Sequence, residues 1–93
     1  MFLRPEYDMK VIGYNLKRLR EEKHLSVEDV RQYLCLGSVQ AVYKYEKGIG
    51  YPQADALLAL MELYEADIYD LTREHEEDLE SSSVIYTTYE VAA

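Results

Sequence analysis

The stretch LSVEDVRQYLCLGSVQAVYKYEKG, from Leu25 to Gly48, spells out two short amphipathic helices with only a turn between them. Ser26 can cap the first, and Asp29 three residues on can reach back to the Ser26 amide, a near capping box with Asp in place of Glu. Val30, Tyr33 and Leu34 then recur on one helical face. Leu36-Gly37-Ser38 breaks the pattern. Gly37 permits a positive φ, and Ser38 offers an oxygen to the first free amides of the next helix. From Val39 to Lys47 the helical pattern resumes, with Val42 and Tyr45 inward and Gln40, Tyr43, Lys44 and Lys47 outward. Gly48 supplies the left-handed residue that commonly ends a helix.

The flanks carry the same kind of signal. Asp8 is placed to cap a helix over 9–23, whose buried stripe holds Val11 or Ile12, Leu16 and Leu19, with Lys17, Arg18, Glu21 and Glu22 mostly toward solvent. Ile49-Gly50-Tyr51-Pro52 reads as a loop. A fourth helix follows over 54–64, burying Leu57, Leu60, Met61 and Tyr64. Asp67 caps a fifth from Ile68 to about Leu71, with the charged run to Leu79 as an optional extension. The expected fold class is all-α, with five helices over 9–72 around Leu16, Leu19, Val30, Leu34, Val42, Leu57 and Leu60. Residues 1–8 form a lead and 73–93 a tail. Within the tail, 84–91 (VIYTTYEV) is strand-like in composition.

Ninety-three residues support one small domain, or a domain with a tail. No apolar run is long enough to span a membrane and no signal-peptide pattern occurs, so the default location is cytoplasmic. Cys35 is the single cysteine, which excludes an internal disulfide or a cysteine-based metal site. The chain carries a net charge of −8, unevenly spread. Residues 1–72 hold nine Lys/Arg and twelve Asp/Glu, and residues 73–93 hold one Arg and six acids. That balance argues against nonspecific adhesion to nucleic acid, although Lys17, Arg18, Lys23, Lys44 and Lys47 can still form a local basic face. Nothing resembles a catalytic constellation, so no enzyme activity, cofactor or metal is expected. His24 and His75 are isolated, and Gly48-Ile49-Gly50 is turn chemistry. Cys35 reads as a small, partly buried turn residue. The ten tyrosines read mainly as packing residues, with Tyr43 the exception.

Two helices joined in this way make a helix-turn-helix, a motif whose second helix usually enters the major groove of DNA. More of the chain follows a known pattern. Ile12-Gly13, Leu16-Lys17-Arg18-Leu19-Arg20, Leu25-Ser26, Ser38, Val42, Tyr45-Glu46-Lys47-Gly48, Pro52 and Leu57 through Leu63 together resemble the phage repressor/Cro-like (XRE-type) helix-turn-helix family. Val27, the longer turn at 35–38 and Tyr45 depart from its commonest forms; the turn and the Tyr-Lys-Tyr segment resemble a subgroup of small Gram-positive bacterial regulators.

The resemblance implies a repressor-like five-helix domain that binds operator DNA, usually as a dimer. It implies base contacts from Val39, Gln40, Tyr43 and Lys44, and phosphate contacts from Lys17, Ser38 and Lys47. Gln can bond adenine N6 and N7 together, and Lys can donate to guanine. It also implies a partly buried structural ion pair between Arg20 and Glu46, suited to bidentate geometry. Two functions stay open. One is a sequence-specific transcriptional regulator, a repressor by resemblance. The other is a protein-interaction module of the same fold, an antitoxin or antirepressor subunit. Strand pairing of 84–91 with another chain, either a second protomer or a protein partner, is expected alongside disorder as the alternative.

Overall fold

A computed structural model describes residues 2–74; the strand-like 84–91 and the extension toward Leu79 lie outside them. Five helices run in order: α1 (Met9–Glu22), α2 (Val27–Leu34), α3 (Val39–Lys47), α4 (Ala54–Tyr64) and α5 (Ile68–Thr72). Among the described residues the fold is all-helical, as the periodicity predicts.

Local chemistry sets most of the boundaries. The Asp8 side chain accepts a hydrogen bond from the Lys10 amide and starts α1. Ser26 and Asp29 form a full capping box on α2, with bonds of 3.0 and 2.8 Å. Asp67 and Asp70 repeat the device on α5. At its end α3 has Gly48 at φ +77°, as expected.

The turn between α2 and α3 differs from expectation. The left-handed residue is Cys35, at φ 59°, and not Gly37. The Cys35 and Leu36 amides donate back to Gln32 and Arg31 carbonyls, closing α2 in a Schellman-like cap. The chain direction is therefore reversed before Gly37 is reached, and a Cβ there would meet nothing within 4 Å. Cys35 itself is exposed rather than partly buried, because it lies past the packed face of α2. Ser38 occupies the N-cap of α3 but makes no side-chain capping bond.

Helix α1 packs against α3 and α5, and α2 against α3. The buried apolar core is Leu16, Leu19, Val30, Val42, Leu60, Tyr64 and Leu71. Leu34 and Leu57, expected inside, are partly buried against it. Leu71 joins the core because α5 folds back over α1. The tyrosines correct the packing reading. Tyr64 is buried and Tyr45 partly so, whereas Tyr7, Tyr14, Tyr33, Tyr43, Tyr51 and Tyr69 are exposed. A small core accommodates few large rings, and a phenol at the rim keeps its hydroxyl wet. Tyr33 shows the pattern: it is 44% exposed, and its hydroxyl donates to the Ala59 carbonyl.

One buried polar residue ties α1 to the end of α5. Asn15 is 0% exposed. Its amide nitrogen donates to the Leu71 carbonyl at 2.7 Å and to the Arg73 carbonyl at 2.9 Å. Carbonyls at the end of α5 have no partner within the helix, and Asn15 supplies it.

Candidate nucleic-acid interface

The segment that reads as a DNA-recognition helix is α3, and three features set its angle. The first is close contact between backbones. Gly13 faces the end of α3, where a Cβ would lie 2.6 Å from the Glu46 carbonyl oxygen. The second repeats this at the helix end: a Cβ on Gly48 would lie 2.8 Å from the Lys10 Cα. The third is the Arg20–Glu46 pair. Arg20 Nε donates to Glu46 Oε2 at 2.7 Å and Nη2 to Oε1 at 3.2 Å, while Nη1 donates to the Leu25 carbonyl at 2.9 Å. Both side chains are about nine-tenths buried, at 10% and 6% exposed. The hydrogen bond to Glu46 raises the Arg20 pKa further above its ordinary value, against the opposing effect of burial. One guanidinium thus joins α1, the start of α2 and the end of α3. This arrangement orients helices and leaves neither charge free to contact a ligand.

Held in this way, α3 turns one face outward. At 3.6 residues per turn, Val39, Gln40, Tyr43, Lys44 and Lys47 fall within an arc of about 140°. Val39 is half-buried and the other four are exposed. Gln40 is free of any helix-capping duty. Behind Lys44 the chain doubles back, with the Ile49 and Gly50 amides both donating to its carbonyl. A Cβ on Gly50 would come within 2.8 Å of the Lys44 Cβ, so the base of that side chain is fenced by backbone. Ser38, exposed and uncommitted to the cap, stands at the N-terminus of the same helix. Unsatisfied amides there favour an anion.

Beside this face lies a cleft of about 330 Å³ between α1 and α3. Lys17 and Lys47 line it, with Tyr43 and the Arg20–Glu46 pair. Lys10 and Tyr14 line it too, and neither figured among the expected site residues. The signal was present: Lys10, Tyr14 and Lys17 follow at intervals of four and three, one stripe of a helix. Val39, Gln40 and Lys44 do not line the cleft. They extend the surface along α3.

The distribution of ion pairs sharpens the contrast. Arg18 pairs with Glu22, Lys23 with Glu65, Arg31 with Glu28 and Arg20 with Glu46. Among the described residues no ion pair engages Lys10, Lys17, Lys44 or Lys47. The unpaired lysines therefore gather on α3 and the adjoining side of α1. At the start of α2 the acids are already used: Asp29 caps the helix, and Glu28 bonds Arg31 and Gln32. Among the described residues no three His, Cys, Asp or Glu side chains cluster as a metal site. No described helix is long and apolar enough to cross a membrane.

Comparison with known proteins agrees with this architecture. The family model described as a helix-turn-helix domain matches residues 12–75. Two solved structures share the fold. The DNA-binding domain of BldD is 22% identical, covering 71% of this chain and 94% of that one, with a TM-score of 0.59. A hypothetical transcription factor, NHTF from Neisseria, is 19% identical, covering 86% and 97%, with a TM-score of 0.62. A search of curated proteins returns no match.

Proposed function

We propose that this chain, which belongs to the helix-turn-helix domain family, is a sequence-specific DNA-binding transcriptional regulator of the XRE type, acting in the cytoplasm as a repressor. The observation that carries the reading is the set of unpaired lysines on the exposed face of α3 and the neighbouring side of α1. Duplex DNA rewards such a surface, because each phosphate neutralised by a lysine releases condensed counterions.

In this reading α3 enters the major groove. Gln40 reads adenine and Lys44 guanine, Tyr43 stacks on or bonds a base edge, and Val39 meets a thymine methyl. Lys17, Ser38 and Lys47 hold phosphates and set the register, with Lys10 added by the cleft. The Arg20–Glu46 pair keeps α3 at the angle that lets these side chains reach together.

A homodimer on a two-fold operator completes the reading, with 84–91 of two protomers pairing as strands. An apolar groove of about 370 Å³ between α1, α4 and α5, lined by Met9, Ile12, Leu58 and Ile68, is the alternative dimer face. Deleting 81–93 and measuring mass in solution separates the two: a monomer assigns dimerisation to the tail, a persistent dimer to the helices.

The net charge of −8 favours a second reading, an interaction module of the same fold serving as an antitoxin or antirepressor subunit. Selection of bound sequences from a random duplex pool, followed by shift assays across salt, decides between them. A recovered site whose affinity falls steeply with salt supports the regulator. No enriched sequence, with a protein partner co-purifying, overturns it.

A further inference from the structure

The chain leaves the described structure at a defined place. Asn15 holds the Arg73 carbonyl against α1, so residue 74 starts beside that helix. Here stand two guanidinium groups, those of Arg18 and Arg73. Each has a buried Nε–H with no hydrogen-bond partner among the described residues. Buried donors left unpaired are costly and call for an acceptor. The sequence that follows, Glu74-His75-Glu76-Glu77-Asp78-Leu79-Glu80, holds five carboxylates and no Lys or Arg.

The lysine-lined cleft lies round the same helix. Going round α1 from Asn15, the side chains pass Arg18, then Tyr14, then Lys10 and Lys17, roughly half a turn in all. Half the circumference of a helix ~10–12 Å wide is about 17 Å. Seven extended residues reach about 23 Å. The acidic run therefore spans from its exit point to the cleft with length to spare. Arg18 on the way is already paired with Glu22 and has Glu21 beside it, so the uncompensated positive charge is that of Lys10, Lys17 and Lys47 at the end of the path.

We propose that residues 74–80 lie across Arg18 into the cleft between α1 and α3, where their carboxylates occupy the lysines that would otherwise hold DNA phosphates. The contact rests on the placement of charges. Only its role as a competitor rests on the DNA-binding reading. An intramolecular ligand acts at an effective concentration on the order of mM. If it binds at about 0.1 mM, it weakens duplex binding about tenfold. The arrangement also gives the excess negative charge of the tail a task within the regulator.

The test uses the full chain and two triple variants of equal charge change. One is Glu76→Gln, Glu77→Gln, Asp78→Asn; the other is Glu6→Gln, Asp55→Asn, Glu62→Gln. Lysine Nζ resonances of the free protein are followed by NMR at low and high salt, and affinity for a random duplex is measured beside them. The tail variant is expected to shift Lys10, Lys17 and Lys47 at low salt, to leave Lys23 in place, and to bind duplex about tenfold more tightly than the second variant. That difference closes as salt rises. Lysine resonances that move no more in the tail variant than in the second overturn the contact. Equal gains in affinity for both variants reduce the effect to net charge and overturn the competition. If no variant binds duplex, the DNA-binding reading fails, and the lysine resonances alone decide the contact.

Discussion

Gly13 of α1 lies so close to Glu46 of α3 that a Cβ on it would come 2.6 Å from the Glu46 carbonyl oxygen. Two helix backbones are in contact at this point, and the exposed face of α3 is set by that contact. Replacing glycine by alanine inside a helix ordinarily gains about 1 kcal/mol. Here the clash involves rigid backbone, and overpacking of this kind costs about 1–3 kcal/mol. Gly13→Ala is expected to be net destabilising in urea titration. A neutral or stabilised variant would show that α1 and α3 can separate freely.

The Arg20–Glu46 pair predicts strong coupling. Removing one member leaves the other charge buried, at a cost of about 3–5 kcal/mol. Arg20→Met with Glu46→Leu together should cost less than either alone. A double-mutant cycle on unfolding free energy measures this, and additivity of the two single effects would reject the coupling.

Asn15 donates to two carbonyls at the end of α5. Asn15→Leu should lose about 1–3 kcal/mol by leaving them unpaired. Asn15→Asp carries a pH signature. A carboxyl facing two carbonyl oxygens is favoured in its protonated form, so its folded pKa rises above the unfolded value near 3.9. Its destabilisation relative to the parent should therefore be small at pH 4 and grow as pH rises to 7. Thermal midpoints at the two pH values provide the check.

On the acid side, Arg31 first and Gln32 second hold the Glu28 carboxyl down to about 2 by hydrogen bonding. The contribution is present above the unfolded carboxylate pKa and is lost as pH falls toward 2. The expected result is a Glu28 side-chain NMR titration well below the usual carboxylate range, returning toward it in Arg31→Ala. A normal titration in the parent chain would remove the interaction.

For the DNA-binding reading, Gln40→Ala and Lys44→Ala should each relax base preference by about 1–3 kcal/mol if the contact is bidentate. Lys47→Ala and Lys10→Ala should weaken all sequences alike and flatten the salt dependence. Selected binding sites and salt slopes for each variant distinguish the two classes. An unchanged preference in Gln40→Ala would move base reading away from α3.

Helix limits were legible in the sequence because they are local. The capping box at Ser26 and Asp29, Asp8 before α1, Asp67 before α5 and Gly48 after α3 each act through bonds spanning a few residues, and the spacing of Leu16, Leu19, Val30 and Val42 records which faces are buried. The Arg20–Glu46 pairing came from resemblance, since no local rule links positions 26 residues apart. The left-handed turn at Cys35 is also local, set when the Cys35 and Leu36 amides bond back to the Gln32 and Arg31 carbonyls before Gly37 can act, but Gly37 is the residue whose type advertises such a turn. Tertiary structure alone decided the rest. It buried Asn15 against α5, left six tyrosines at the rim, and brought Lys10 and Tyr14 of α1 beside Tyr43 and Lys47 of α3. These outcomes depend on how closely two helices approach and at what angle. That is settled by which atoms collide, as at Gly13, and such collisions exist only after distant parts of the chain have met.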